Sequence, residues 1–168
     1  MLAMFLRQHH LFFLHLAAGV GDVHGTVDHG CDTGSGATAG AVSIDPAVQR
    51  LVIVEIESLV PPAASTYFHE YNFDVIRNPK AKVVIDDACH YLITGKERYD
   101  AITSDPFDPW VKGAAMLYTE EFLELLKQRL NPGGVVTVFV QFYQSGIEAV
   151  KSELDTFFKV FPQGTVWI

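Results

Sequence analysis

The chain has 168 residues, of which 49% are hydrophobic and 19% are charged, and its formal net charge is −8. A chain of this length and composition can bury a sizeable core, so we expect a single domain over residues 1–168. The acidic balance disfavours nucleic acid as a partner, because a phosphate backbone binds positively charged surfaces. Cys31 and Cys89 match no zinc or redox spacing, which indicates a reducing, cytoplasmic compartment and no structural disulfide.

The first twenty residues, MLAMFLRQHHLFFLHLAAGV, are strongly apolar. We expect a helix over residues 1–18 and the core of the domain over residues 19–168. Arg7 and the polar residues 8–10 interrupt the apolar run, so it predicts no membrane span. The helix carries more apolar side chains than one solvated face can hide. We therefore expect it to form part of a homodimer contact.

From about residue 50, short β-branched segments alternate with helical stretches, the pattern of a mostly parallel sheet covered by helices. The pattern predicts strands at 51–56, 82–85, 99–105, 134–142 and 165–168. It predicts helices at about 61–72, 86–94, 117–130 and 145–161. Residues 19–36 hold His, Asp and Gly where a buried strand would have aliphatic side chains, so they predict only a poor strand. The expected fold class is α/β with three layers.

A glycine-rich segment, GSGATAG, begins with Gly34, Ser35 and Gly36 and precedes the predicted strand LVIVEI. Such a turn lets the backbone approach a ligand closely, and the helix that follows offers unpaired N–H groups. Glu55 lies about 20 residues further on, where a carboxylate can accept hydrogen bonds from both ribose hydroxyls. A flexible turn and a solvated strand end would each explain these residues singly. Their combination favours a nucleotide-binding βαβ unit.

Residues 85–110 carry six acidic side chains against two basic ones, which favours a bound cation. Asp105 and Asp108 are spaced i, i+3 where a predicted strand passes into a loop, so both can face one ligand. Asp-Pro is also a common turn element, and surface carboxylates are usually only solvated. The spacing alone leaves a catalytic and a purely structural interpretation open.

Taken in order, these motifs resemble the spermidine synthase (polyamine aminopropyltransferase) family. The set consists of GSGATAG, VEIE, a carboxylate pair that opens a helix, YDAITSDPFDPW, LYTEEF and LNPGGV. The resemblance runs from about residue 30 to the C-terminus. It implies the Rossmann-like three-layer fold of S-adenosylmethionine-dependent transferases, abbreviated here at both ends.

The resemblance also implies a cofactor site. The turn of Gly34, Ser35 and Gly36 corresponds to the one that holds the amino-acid or methylthio end of the cofactor, and Glu55 to the acid that binds the ribose. Asp87, with Asp86 beside it, corresponds to the residue that binds the adenine amino group. The implied co-substrate is decarboxylated S-adenosylmethionine or S-adenosylmethionine, and no metal is expected.

The catalytic residues implied by the resemblance are Asp105 and Asp108. Aminopropyl transfer is attack by a primary amine on the carbon next to a sulfonium, so the amine must lose a proton and be held in line. Asp105 corresponds to the carboxylate that orients the amine and accepts its proton, and Asp108 to the one that anchors the amine cation. The implied partner is therefore a cationic amine substrate.

Two alternatives from other function classes remain open. The segment from His24 to His29 is similar to the His-x-His-x-Asp-His zinc motif of metallo-β-lactamase-fold hydrolases, with Thr26 in place of the second histidine. His24, Asp28 and His29 could share a metal ion, which would predict a metal-dependent, lactonase-like hydrolase. The other alternative is a catalytically inactive core that binds a nucleoside or a protein partner.

Overall fold

A computed structural model describes residues 2–3, 26–30, 34–105, 113–140, 142 and 145–167 of the chain. Six strands occur among these residues: β1 (Leu2–Ala3), β2 (Thr26–Gly30), β3 (Leu51–Glu55), β4 (Ala81–Ile85), β5 (Tyr99–Asp105) and β6 (Leu130–Val138). They form one sheet in the order β1-β6-β5-β2-β3-β4, and every pair of neighbours is parallel. The parallel α/β architecture expected from the sequence is confirmed.

Helices connect the strands and cover both faces of the sheet. They are α1 (Ala37–Ser43), α2 (Val60–Tyr67), α3 (Ala88–Thr94), α4 (Glu120–Gln128) and α5 (Ile147–Val160). Two 3₁₀ turns, Val75–Arg77 and Ala114–Tyr118, precede β4 and α4. Within the part of the chain that the structure describes, none of the helices is both long and apolar enough to cross a membrane.

The core lies on both faces of β3, whose five residues are all buried. Leu51 and Ile53 pack in a cluster with Val42 of α1. Val52 and Val54 belong to the larger cluster on the other face, which gathers side chains of α3, α4 and α5. Because successive residues of a strand face opposite sides, a strand covered on both faces reads as an uninterrupted aliphatic run. This arrangement produces the three layers.

The poor strand expected over residues 19–36 corresponds to Thr26–Gly30. This segment forms β2, a central strand that pairs with β5 on one side and with β3 on the other. Backbone pairing on both sides outweighs the low strand propensity of the sequence TVDHG. The least strand-like stretch of the core therefore occupies the middle of the sheet.

Three predicted elements differ from the structure. Residues 164–167 form no strand, although 165–168 was predicted as one. The helix predicted over 117–130 begins only at Glu120, because the Thr119 hydroxyl accepts a hydrogen bond from the Phe122 N–H (3.3 Å) and caps α4 there. The strand predicted over 134–142 is β6, which runs from Leu130 to Val138.

The expected N-terminal helix falls largely outside the described residues. The backbone of Leu2 and Ala3 lies in β1, paired with Val136 and Thr137, and is not helical at these two positions. Residues 4–18 are not described, so the helix and the homodimer contact built on it stay predictions.

Candidate functional site

The order of the strands reverses between β2 and β5. From β2 the chain continues outwards through β3 and β4, whereas β5 and β6 extend the sheet on the opposite side. Open parallel sheets bind ligands at the carboxyl ends of the strands beside such a reversal. Gly30 and Asp105 end β2 and β5 and are paired with each other in register. The fold therefore puts the backbone of Asp105 at the edge where a ligand crevice is expected.

The glycine turn precedes α1 on the chain that leaves β2. Gly34 and Gly36 have positive φ angles of 39° and 73°. The value at Gly36 lies in the left-handed region, which residues with a Cβ rarely adopt. The Ser35 Oγ accepts a hydrogen bond from the Ala37 N–H (3.3 Å), which holds the turn against the start of α1.

Glu55 ends β3, the strand next to β2, and is only 2% exposed. Its Oε1 accepts a hydrogen bond from the Glu57 N–H at 2.8 Å, which fixes the orientation of the carboxylate. A buried, oriented carboxylate at the end of this strand fits the pair of hydroxyls that a ribose presents. The backbone O of Glu55 also accepts from the Asp86 N–H (3.0 Å), which ties the ends of β3 and β4 together.

The two acids after β4, Asp86 and Asp87, make different contacts. Asp87 is the N-cap of α3, and its Oδ1 accepts a hydrogen bond from the His90 N–H (2.9 Å). The Asp86 carboxylate lies within 2.8 and 2.9 Å of the His90 Nδ1 through its two oxygens. Asp86 is thus engaged by a histidine one helical turn away. Asp87 instead lies at the start of the helix and is engaged by its backbone.

Cys89 neighbours this acidic pair in α3. Burial, assisted by the charge of Asp87, raises the pKa of the Cys89 thiol to about 11. Because the thiolate is the reactive form, the thiol is a poor nucleophile at neutral pH. The structure therefore gives no support for Cys89 as a nucleophile.

The structure brings most of the predicted site residues to one edge of the sheet. The Gly34–Gly36 turn, Glu55, Asp86 and Asp87 all follow the carboxyl ends of neighbouring strands, and the backbone of Asp105 ends β5 beside them. Asp108, also predicted as a site residue, lies outside the described residues.

The predicted metal-binding segment is only partly described. His24 is outside the described residues, and Asp28 and His29 belong to the backbone of β2. Among the side chains that the structure describes, no group of three or more His, Cys, Asp or Glu could hold a metal ion.

Asn72 is a buried polar residue at the site that the sequence analysis missed. It lies between α2 and the following 3₁₀ turn, and its side-chain amide donates to the Ser35 carbonyl of the glycine turn (2.8 Å). No sequence signal pointed to it, because an asparagine in a loop usually indicates only a turn.

Comparison with known proteins identifies relatives over most of the chain. The family model for the spermine/spermidine synthase domain matches residues 24–167. A polyamine aminopropyltransferase of Aeropyrum pernix is 36% identical over 104 residues, which are 61% of this chain and 33% of that protein. The chain therefore spans about a third of the length of this curated relative.

Solved structures of spermidine synthases are also similar to this chain. A spermidine synthase in complex with the transition-state analogue AdoDATO superposes with a TM-score of 0.75 and 26% identity, covering 89% of this chain and 52% of that one. The spermidine synthase of Thermotoga maritima gives a TM-score of 0.72 and 28% identity, covering 92% and 49% of the two chains. The Rossmann-like fold implied by the sequence resemblance is confirmed. The chain belongs to the spermine/spermidine synthase domain family.

Proposed function

We propose that this chain is the catalytic core of an aminopropyltransferase. It binds decarboxylated S-adenosylmethionine at the carboxyl edge of the sheet and transfers the aminopropyl group to a primary amine. One observation carries this proposal. The glycine turn, Glu55, Asp87 and the end of β5 all lie at the carboxyl ends of neighbouring strands, on either side of the point where the strand order reverses. The names of the relatives, polyamine aminopropyltransferase and spermidine synthase, support the same reaction.

The nucleoside half of the co-substrate matches the acceptors of this edge. Glu55 accepts hydrogen bonds from the ribose hydroxyls, and its burial strengthens them because little water competes there. Asp87 accepts a hydrogen bond from the adenine amino group. The glycine turn approaches the sulfonium end of the molecule, where a side chain would be in the way.

The charge of the edge favours the decarboxylated form of the co-substrate. That form carries a sulfonium and an ammonium with no carboxylate, whereas S-adenosylmethionine also carries a carboxylate. Glu55, Asp86 and Asp87 lie along the edge, and the whole chain has a formal charge of −8. An acidic surrounding attracts the more positive ligand and repels a carboxylate.

The transfer step needs a proton acceptor and no metal. The amine nitrogen attacks the aminopropyl carbon bonded to sulfur, and the new C–N bond forms as the C–S bond breaks. The bonding pair stays on sulfur, which leaves neutral methylthioadenosine. Asp105 accepts the proton that the nitrogen loses, and Asp108 holds the distal ammonium of the acceptor amine.

Calorimetric titration with methylthioadenosine, S-adenosylmethionine and its decarboxylated form tests this proposal. We expect the decarboxylated form to bind more tightly than S-adenosylmethionine, and methylthioadenosine to bind through its nucleoside half alone. Mass spectrometry of mixtures with aliphatic diamines of different lengths should then detect methylthioadenosine and an amine heavier by one aminopropyl group. A protein that binds none of the three nucleosides would overturn the proposal.

A further inference from the structure

Asn72 joins the glycine turn to the neighbouring helix. The residue is 0% exposed, and its Nδ2 donates both to the Ser35 carbonyl (2.8 Å) and to the Ala64 carbonyl of α2 (3.2 Å). Ser35 is the middle residue of the Gly34–Gly36 turn. One side chain thus fixes the direction of a carbonyl inside the turn.

The direction of this carbonyl determines that of the next amide. In a trans peptide unit the C=O and the N–H point in opposite directions. Because the Ser35 carbonyl is held towards Asn72, the N–H of Gly36 is turned away from Asn72 and from α2. Asn72 therefore fixes the direction of the Gly36 N–H as well as that of the Ser35 carbonyl.

Two glycines let Asn72 come this close. A Cβ on Gly36 would lie 3.3 Å from the Asn72 Nδ2, tighter than nearly all real contacts. A Cβ on Gly40, one turn into α1, would lie 2.6 Å from the backbone carbonyl carbon of Asn72, where atoms cannot approach. The absence of side chains at Gly36 and Gly40 therefore makes room for Asn72.

The position of Asn72 is costly for stability. Its Oδ1 is buried without a hydrogen-bond partner, an arrangement that destabilises the folded state. The next two residues, Phe73 and Asp74, both adopt left-handed φ angles of 54° and 52°. Strained backbone and unpaired buried polar atoms cluster at functional sites, where the geometry matters more than stability.

We propose that Asn72 is a positioning residue that sets the conformation of the glycine turn for the adenosyl co-substrate. This inference rests on the proposed function, since it assumes that the turn contacts the nucleoside. Asn72 does not touch the reacting atoms. Its loss therefore weakens binding of the co-substrate and leaves the transfer rate at saturation unaltered.

Asn72→Ser tests the proposal, because serine is too short to reach both carbonyls. We expect the Kd for methylthioadenosine and the KM for the aminopropyl donor to rise about tenfold, and kcat to stay the same. Asn78→Ser is the matched control: the Asn78 Oδ1 accepts from the Lys80 N–H (3.0 Å) in a turn before β4. A merely structural role predicts that both variants lose stability while their folded molecules bind normally, and that result would overturn the proposal.

A measurement on the unchanged protein covers the case in which Asn72→Ser does not fold. Binding of methylthioadenosine should shift the NMR signals of the Asn72 side-chain amide and slow its hydrogen exchange. Unshifted signals on a protein that binds the nucleoside would refute the positioning role alone. A parent protein that binds no nucleoside would instead refute the proposed function.

Discussion

Gly30 and Asp105 are register partners at the carboxyl ends of β2 and β5. The order of the strands reverses between these two strands, so no crossover connection covers the gap beside this pair. A glycine on one side and an acid on the other therefore flank the point at which the strand order reverses. The proposal of Asp105 as proton acceptor comes from the family resemblance, and the position of its backbone at this edge supports it.

We expect Asp105→Asn to lower the rate of aminopropyl transfer at least about 100-fold, because asparagine cannot accept the proton from the amine. Affinity for methylthioadenosine should stay within about twofold, since the nucleoside half is held by other residues. Single-turnover mass spectrometry measures the first quantity and calorimetry the second. Asp155→Asn, an exposed position on α5, is the control. A variant with the parent transfer rate would remove Asp105 from the mechanism.

Glu55→Gln and Asp87→Asn should each weaken nucleoside binding by about 1.5–3 kcal/mol, the range for hydrogen bonds to charged groups. Asn caps helices about as well as Asp, so Asp87→Asn should leave α3 intact. Glu57→Gln changes an exposed carboxylate two residues beyond β3 and serves as the control. Calorimetry at fixed ionic strength measures the three affinities. Unchanged affinity in both site variants would show that the nucleoside binds elsewhere.

Some parts of this architecture could be predicted from the sequence and others could not. β3 was predicted within one residue, because burial on both faces leaves an unbroken aliphatic run. β2 was expected only as a poor strand, with no defined bounds, because its pairing is supplied by strands distant in sequence and TVDHG carries little strand signal of its own. A local sequence pattern indicates how a segment is buried. Whether that segment lies in the centre of a sheet depends on its pairing with strands elsewhere in the chain.

The candidate site divides in the same way. Motif order pointed to the glycine turn, Glu55 and the acidic pair, in which it matched Asp87 to the adenine contact and placed Asp86 beside it without a separate role. Their difference depends on which one caps α3 and which one meets His90. Asn72 was not predicted as a site residue, because its contact with Ser35 joins positions 37 residues apart in the sequence. Only the packing of α1 against Asn72 and the 3₁₀ turn that follows it brings the two together.

Gly40→Ala should destabilise the fold by about 1–3 kcal/mol, although alanine normally favours a helix by about 1 kcal/mol. The reason is the backbone of Asn72, which occupies the space that the new methyl group needs. Gly146→Ala is the comparison, because nothing lies within 4 Å of a Cβ there. Urea unfolding curves measure both variants. Equal midpoints for the two would contradict the close approach of α1 to Asn72.

Glu153 of α5 faces a small, mostly apolar cavity. The cavity is lined by Tyr118, Leu123, Val138, Val140, Glu153, Leu154 and Phe157. The Glu153 Oε2 is buried without a hydrogen-bond partner, and burial raises the pKa of this carboxyl above its ordinary value of 4.5. The folded state therefore holds the proton more tightly than the unfolded state does. It follows that the contribution of Glu153 to the free energy of unfolding decreases as the pH rises above about 4.5.

Glu153→Met should stabilise the protein at neutral pH by about 1 kcal/mol, because an unbranched apolar side chain fills the same space without an unpaired oxygen. For a chain of this length, that gain raises Tm by roughly 2–4 °C. The gain should shrink near pH 4, where the carboxyl of the parent is protonated in both states. Glu148→Met is the control, since Glu148 is exposed beside Lys151 (3.2 Å) and an exposed ion pair contributes little. Thermal unfolding followed by circular dichroism at both pH values measures the effect, and an equal gain at the two would show that the charge of Glu153 is not its cause.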